Sequence, residues 1–593
     1  MKIVSYIKKK VQKLTSDQRL TLSILVFALL CIYPWRDGYI MLLDYVSIPW
    51  DDYSDRLFWY TGLFPSLLAI IWDVFWAMGL QYLLFTWALL CIWLGSKRLL
   101  TALGLRSWWL RFGVLFALCN PFIYTRMIEW QANVFMWFAL IYMAMSFLAQ
   151  GIVTNTSKYW MIWYIVFAGL GVSYMHHAIF FVLLLSTWVV LLDDDMRKNL
   201  RRYCLLIWWV LLINLNRITA AVMWVWRNAQ TMSFFGGDHI RAFAAVSPDT
   251  NVPFHLLSLH GFWWEHMWRF TNLYSLNTNR EYIFLCIALL VCVGIYAIFM
   301  GIHKGGIHIY TKKPAWWVWL LWVAVLAYLL SMWTSGRWWV RSVSDWMYEY
   351  IPFYIGLREP QKRTWVLLFC YMIFASIWVQ ASIGILRFYT STDKFWEYLL
   401  AIVIMLLPLL YTPTMLFALG GQLSVHTYPD SRYQSKDFLH SRTYTQDCLD
   451  TACYDVLVFP RHQYIRLSWS RNVIANPMQR FLMYKKDLTL SILAGDNMEM
   501  KEIYTQSSRP ASKIIETYVW PEWYWWLVWS GNIDSQKYSL FIQDALSLGI
   551  EDIVLFKEAK RLEYQFHMDE MEELWLLERV LENDMVQIYT IVK

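Results

Sequence analysis

Five carboxylates fall in one short stretch, Arg36 to Arg56: Asp37, Asp44, Asp51, Asp52 and Asp55. The stretch follows the first long apolar run, so it leaves a bilayer at the outer edge. Carboxylates beside a bilayer are costly unless they are solvated, paired or used. In a partly dry cleft a carboxylate has a raised pKa and can take a proton from an incoming hydroxyl. It can also bind a divalent cation that neutralises a phosphate leaving group, and that ion is the one cofactor these residues leave open. Asp37 and Asp44 are seven positions apart, about two helical turns, and share a face if the segment is helical. The bland alternative is a set of loop acids, solvated or paired with Arg36 and Arg56.

Two further segments carry suitable chemistry. In Gly356-Leu357-Arg358-Glu359-Pro360-Gln361-Lys362-Arg363, three cations flank one acid just before an apolar run. Arginine suits bidentate capture of phosphate oxygens. Snorkelling interface anchors are the alternative. In Asn120-Pro121-Phe122-Ile123-Tyr124-Thr125-Arg126-Met127-Ile128-Glu129-Trp130-Gln131, Arg126 and Glu129 are three apart and could simply pair, while Gln131 enters an apolar run where an amide needs a partner. The pair His176-His177 could line a polar cavity or satisfy a helix corner. Asn214 reads as a helix–helix hydrogen bond.

The elements that must position these groups are mostly membrane helices. The chain has 593 residues, of which 58% are hydrophobic, 19% aromatic and only 16% charged, with 39 tryptophans. Mean hydropathy is +0.37. Soluble domains are nearer a quarter charged, and Trp and Tyr favour the water–lipid boundary. The sequence is that of a polytopic α-helical membrane protein. About eleven runs approach the roughly 20 residues a spanning helix needs: 20–36, 74–96, 107–124, 131–149, 159–175, 177–193, 203–225, 281–302, 314–332, 364–386 and 396–418. No cleavable signal ends the first run, so the N-terminus is read as cytoplasmic. With that parity every cytoplasmic loop carries basic residues, as the positive-inside rule requires, and the protein is expected in the cell membrane. The net charge of +7 is then orientation, not nucleic-acid binding.

The domain division expected is a membrane region over 1–419, with long extracytoplasmic loops at 36–73, 226–280 and 333–363, and an extracytoplasmic α/β domain over 420–593. Within 57–73, an apolar stretch suits a helix lying in the interface. In the C-terminal part, strand-like runs at 454–460, 551–556 and 585–592 alternate with helical patterns at 535–550 and 568–583, suggesting a mainly parallel sheet. WPEWYWWLVWS (520–530) is too short to span and could dock on the bilayer. Cys448 and Cys453 are either a small disulfide loop or free thiols; the other cysteines read as small buried apolar residues. There is no glycine-rich nucleotide fingerprint and no zinc-type Cys/His spacing.

At this point the residues resemble a family. A carboxylate loop after the first helix, many spans, long outer loops and a soluble tail resemble the GT-C superfamily of integral membrane glycosyltransferases. NPFIYTRMIEWQ is similar to an "NP-aromatic-x-x-R-x-x-x-x-Q" segment in its prokaryotic branch, and REPQK (358–362) to a "REP-x-K" box before a late helix. YDVLVFP, NVIANP and LGIEDIVLFKE resemble the same branch's soluble tail. The resemblance implies sugar transfer from a polyprenyl-phosphate-linked donor to a glycan, lipid or protein acceptor, with membrane lipid around the protein and no nucleic acid. It implies a catalytic acid in the first outer loop, Asp44 first and Asp37 second. Arg358, Lys362 and Arg126 would then hold the donor phosphate, with Glu359, Glu129, Gln131, His176 and His177 in supporting or acceptor roles. Two other classes remain open. A lipid or polysaccharide transporter would need charges deep within spans, where few occur, and a non-catalytic assembly factor of the same fold is not separable by sequence. A sensor ranks last, because the cytoplasmic loops are too short for an output module.

Overall fold

The computed structural model describes residues 16–32, 39–42, 45–46, 77–105, 107–128, 132–153, 158–172, 176–191, 193, 196–215, 219, 252–260, 315–332, 338–350, 360–389, 394–416, 425–426, 431–442, 454–460, 464–465, 474–475, 482, 491–493, 498–500, 503–505, 510–519, 535–557 and 561–592. The chain divides into two units. The first comprises Met1–Trp35, Tyr53–Ala229 and Phe243–Leu423; the second comprises Arg36–Asp52, Gln230–Ala242 and Ser424–Lys593.

The first unit is helical. Its helices are α1 (Ser16–Ile32), α2 (Ala77–Ala102), α3 (Ser107–Leu118), α4 (Pro121–Ile128), α5 (Ala132–Val153), α6 (Lys158–Val172), α7 (His176–Val190), α8 (Met196–Ile213), α9 (Val252–Leu257), α10 (Ala315–Met332), α11 (Trp338–Tyr350), α12 (Thr364–Tyr389) and α13 (Lys394–Tyr411). Among the described residues, three segments are long and apolar enough to cross a membrane: Tyr82–Ala102, Val134–Val153 and Gln361–Gln380. The protein is a membrane protein. The span expected at 281–302 lies outside the described residues, as do the interfacial segment at 57–73, the run at 520–530 and Cys448 and Cys453.

The centre of this unit is α5, which packs along α2 and α6. Its approach to α2 is very close at Gly95. A Cβ there would lie 2.7 Å from the Tyr142 carbonyl carbon and 2.8 Å from its oxygen, so only glycine permits the contact. Asn214 donates to the Gly169 carbonyl at 3.1 Å, tying the end of α8 to α6 as its position in an apolar run suggested. The run at 107–124 is not one span. It breaks after Leu118, because buried Asn120 accepts from the Ile123 amide at 3.0 Å and Pro121 opens α4. An asparagine N-cap followed by proline at the first helical position is a helix start. In the run at 203–225 the described helix begins earlier, at Met196, and ends at Ile213; 216–218 and 220–225 lie outside the described residues.

The second unit contains a five-stranded mixed sheet. The strands of the unit are β1 (Tyr39–Leu42), β2 (Tyr45–Val46), β3 (Val425–His426), β4 (Val456–Phe459), β5 (Tyr464–Ile465), β6 (Ile474–Ala475), β7 (Ile492–Leu493), β8 (Met498–Met500), β9 (Ile503–Thr505), β10 (Asp552–Phe556), β11 (Leu577–Glu582) and β12 (Val586–Ile591). The large sheet has the order β11-β12-β10-β4-β7. Its helices are α14 (Ser431–Ser441), α15 (Pro510–Val519), α16 (Ser535–Ser547) and α17 (Arg561–Glu573). Strands β4, β7 and β10 are parallel, whereas β12 runs antiparallel to β10 and β11. Leu457, Phe459, Ile553, Leu555 and Tyr589 are buried with Ile515, Phe541 and Met568 in one core. Asp552 is fully buried, paired with Arg442 at 2.9 Å and accepting from Thr590 at 2.7 Å.

Two expectations need correction here. The sheet is not mainly parallel, since its last two strands form an antiparallel hairpin. The helix expected over 568–583 stops at Glu573, and 577–582 is strand β11. Leu574, Leu576, Leu577, Val580 and Leu581 fit either periodicity, so the pairing with β12 decided the matter. The switch lies at Trp575, at φ 59°, whose amide bonds back to Glu572. Such a left-handed residue ends a helix.

Candidate functional site

The acidic stretch after α1 is strand, not helix, where it is described. Tyr39–Leu42 pairs antiparallel with Tyr45–Val46, Leu42 opposite Tyr45, and with Val425–His426 on its other side. The shared helical face proposed for Asp37 and Asp44 therefore does not exist: side chains on a strand repeat every two residues, not every 3.6. Asp37 and Asp44 themselves lie outside the described residues, as do Glu129, Gln131, Arg358 and Glu359.

The elements that carry the remaining motifs are brought together by five rings. Trp365, in the first turn of α12, meets Trp137 of α5 edge to face at 4.8 Å. It also meets Phe138 of α5 at 6.0 Å and Phe181 of α7 at 5.9 Å. Phe138 in turn meets Phe122 of α4 at 5.8 Å. Phe122 lies one turn from a residue the sequence singled out, since Arg126 follows it by four. On an α-helix that spacing puts Arg126 and Phe122 on the same face. Gln361, in the 3-10 turn that precedes α12, stands four residues before Trp365. The end of α4 and the starts of α5, α7 and α12 thus converge at one end of the bundle.

Arg126 is 2% exposed, with its guanidinium 5.1 Å from the Phe122 ring centre, a cation–π distance. Lys362 is half-buried in the short 3-10 turn Pro360–Arg363 that precedes α12. His176 and His177 open α7. Arg363, the third cation of its motif, is employed otherwise. It is buried, and its Nη1 donates to the Leu330 carbonyl at 2.5 Å. A cation on a last-turn carbonyl satisfies one of the orphan acceptors of a helix C-terminus, so Arg363 caps α10.

Basic residues also mark the other end of the bundle. Arg98, in the last turns of α2, stacks at 4.8 Å on Phe147, nine residues beyond Phe138 and so about 14 Å further along α5. Lys97 lies 5.7 Å from the Trp93 ring centre.

Two features escaped the sequence reading. Gln361 is 1% exposed, and neither its Nε2 nor its Oε1 has a hydrogen-bond partner among the described residues. The Trp365 indole N–H is likewise unpartnered there. Nothing in the sequence marks Gln361 beyond its place inside REPQK. The second feature is a buried polar group after α9. The rings of His255 and His260 meet at 5.4 Å, His260 faces Tyr411 at 6.3 Å, and the Tyr411 hydroxyl donates to the Ser258 carbonyl. This group fixes the end of α13 against 252–260. Single histidines in an aromatic-rich loop carry no spacing signal that would have found it. Among the described residues no group of three His, Cys, Asp or Glu side chains could hold a metal ion; the acidic loop is outside them.

The chain shares its fold with a solved membrane arabinofuranosyltransferase. The chain aligns over 97% of its length with the arabinofuranosyltransferase AftD from Mycobacteria, at a TM-score of 0.56 and 13% identity, and spans 40% of that chain. A mutant form of AftD aligns at TM-score 0.56 and 14% identity, over 97% of this chain and 41% of that one. The archaeal oligosaccharyltransferase AglB from Archaeoglobus fulgidus, in complex with an inhibitory peptide and a dolichol-phosphate, aligns at TM-score 0.46 and 10% identity over 91% and 70%. The protein spans about two fifths of the length of AftD. No protein-family model matches it, and no curated protein does.

Proposed function

We propose that this chain is a glycosyltransferase that moves a sugar from a polyprenyl-phosphate-linked donor to an extracytoplasmic glycan, lipid or protein acceptor. The observation that supports this reading is the convergence of α4, α5, α7 and α12 on the Trp365 ring cluster, within a fold shared with a membrane glycosyltransferase. In the proposed arrangement the polyprenyl tail lies among apolar helices and the phosphate sits at the end of the bundle near Lys362, Arg126 and Arg358. Glu359, Glu129, Gln131, His176 and His177 support it or the acceptor. The N-terminus is cytoplasmic, and the sheet-containing unit is extracytoplasmic and holds the acceptor.

In the reaction Asp44, with Asp37 as the second candidate, takes the proton of the acceptor hydroxyl. The freed oxygen pair forms a bond to the anomeric carbon. The bond from that carbon to the phosphate oxygen breaks, and the phosphate leaves with the electron pair. Negative charge grows on the phosphate in the transition state, where preorganised cations stabilise it most. A single displacement inverts the anomeric centre. The test is transfer from a synthetic polyprenyl-phosphate sugar by purified protein. Asp44→Asn is expected to lower turnover by about 100-fold or more, the scale of a lost general base. Full activity in both Asp44→Asn and Asp37→Asn, each correctly inserted, would overturn the mechanism.

A further inference from the structure

Buried amides without partners are uncommon, because an unsatisfied polar atom in a dry interior has lost its hydrogen bonds to water and gained none in return. Gln361 has two such atoms, a donor and an acceptor, and is 1% exposed. The Trp365 indole N–H, four residues further on, is a third. Trp365 lies where α4, α5, α7 and α12 converge, and Gln361 lies in the turn that leads into it, beside Lys362 in sequence. Fold requirements do not account for Gln361. Leucine or methionine would fill the same space with no polar atom to bury. Its neighbours are employed in holding the turn together: Thr364 donates to the Gln361 backbone carbonyl at 2.7 Å, and Arg363 caps α10. The Gln361 side chain takes part in neither contact.

We infer that the Gln361 amide, with the Trp365 N–H, forms an uncharged hydrogen-bonding subsite for hydroxyl groups of the donor sugar, adjoining the cationic site for its phosphate. This rests on the proposed donor and adds the recognition of its sugar. A phosphate wants cations and donors only. A hydroxyl donates and accepts at once, and an amide matches it on both counts. A site whose buried polar groups are satisfied only by the right hydroxyl also discriminates strongly, because an analogue lacking it leaves those groups unpaired. The unpartnered state of Gln361 without ligand is then the source of selectivity.

The test is binding of three probes to the full-length protein in nanodiscs: bare decaprenyl phosphate, decaprenyl-phosphate-arabinofuranose and decaprenyl-phosphate-mannose. Wild type is expected to bind at least one sugar-bearing probe more tightly than the bare lipid phosphate. Gln361→Leu and Trp365→Phe are each expected to weaken that probe more than tenfold while binding the bare lipid phosphate as wild type does. Thermal stability of Gln361→Leu is expected to equal or exceed that of wild type, which separates lost recognition from misfolding. If the Gln361→Leu protein binds all three probes as wild type does, or wild type prefers neither sugar-bearing probe, the subsite is wrong while the donor reading stands. If wild type binds no lipid phosphate, the donor reading fails and takes the subsite with it.

Discussion

Trp137 and Trp365 meet edge to face, their ring centres 4.8 Å apart and their planes at 84°. This pair joins the start of α12 to the central helix α5, and Phe138 and Phe181 close around it. Edge-to-face pairs contribute about 0.5–1.5 kcal/mol beyond their burial. Trp365→Ala should therefore cost about 3–5 kcal/mol of stability, read as a lower melting temperature in detergent. Trp365→Phe should lose much less. Equal loss in both would mean that the ring contacts are not what holds α12 in place.

Gly95 sits where α2 and α5 touch backbone to backbone. Its missing Cβ would lie within 3 Å of the Tyr142 carbonyl carbon and oxygen and of the Met143 nitrogen. Backbone cannot give way as a flexible side chain can, so Gly95→Ala should push the helices apart at about 1–3 kcal/mol. Gly151→Ala is the control, because the nearest atom there is the Trp160 Cβ at 3.1 Å. A melting temperature for Gly95→Ala equal to wild type would show that the helices separate freely.

The cations near α12 should divide into two kinds. Arg363→Ala removes the cap on Leu330 and should destabilise by about 1–3 kcal/mol, the scale of a hydrogen bond from a charged group, with little effect on lipid-phosphate affinity. Lys362→Ala and Arg126→Gln should do the reverse to affinity, weakening decaprenyl-phosphate binding about tenfold or more. Arg126→Lys should not restore it fully, because an ammonium lacks the planar fork. Titration of each variant in nanodiscs reads both effects.

Acid should loosen the sheet-containing unit. His567 is pushed down to about 4 by burial, with the Tyr538 hydroxyl 2.9 Å from its Nδ1. An unfolded histidine takes a proton near 6.5, so between 6.5 and 4 the unfolded state binds a proton that the folded state refuses. Stability is therefore full above 6.5 and falls as pH drops through that window. Glu582, held down to about 2 by hydrogen bonds from Lys557 and Arg579, adds a loss in the same direction, from its ordinary value of 4.5 down to about 2. Hydrogen exchange of the intact protein should show α16 and α17 opening on the order of tenfold more at pH 5 than at pH 7, after correction for intrinsic rates. Protection unchanged over that range, or restored by acid, would contradict the assignment.

Composition and periodicity were enough for helices such as Ala77–Ala102, Ala132–Val153 and Thr364–Tyr389. Long apolar runs bounded by basic loops have one stable form in a bilayer, since every backbone polar group must be satisfied within the segment. They were not enough where two periods coincide. Leu574 to Leu581 reads as helix or strand, and only pairing with Val586–Ile591 selects strand. The run through Cys119 reads as one span until Asn120 turns its side chain onto the next helix. Tyr39–Leu42 borrows its strand partner from Val425–His426, almost 400 residues away in the chain, and no local signal reveals such a pairing.

The same division holds for the candidate site. Arg126, Lys362 and His176-His177 were legible because charged and amphoteric side chains beside apolar runs must be compensated or used. That they share one end of the bundle was implied by helix parity alone. Which cation faces the site and which caps a helix was not, for Arg358, Lys362 and Arg363 are equivalent on paper. Tertiary packing turned Arg363 onto the end of α10 and buried Gln361 without a partner among the described residues. A side chain's type is written in the sequence. Its hydrogen-bond partner is chosen by whatever element the fold brings beside it.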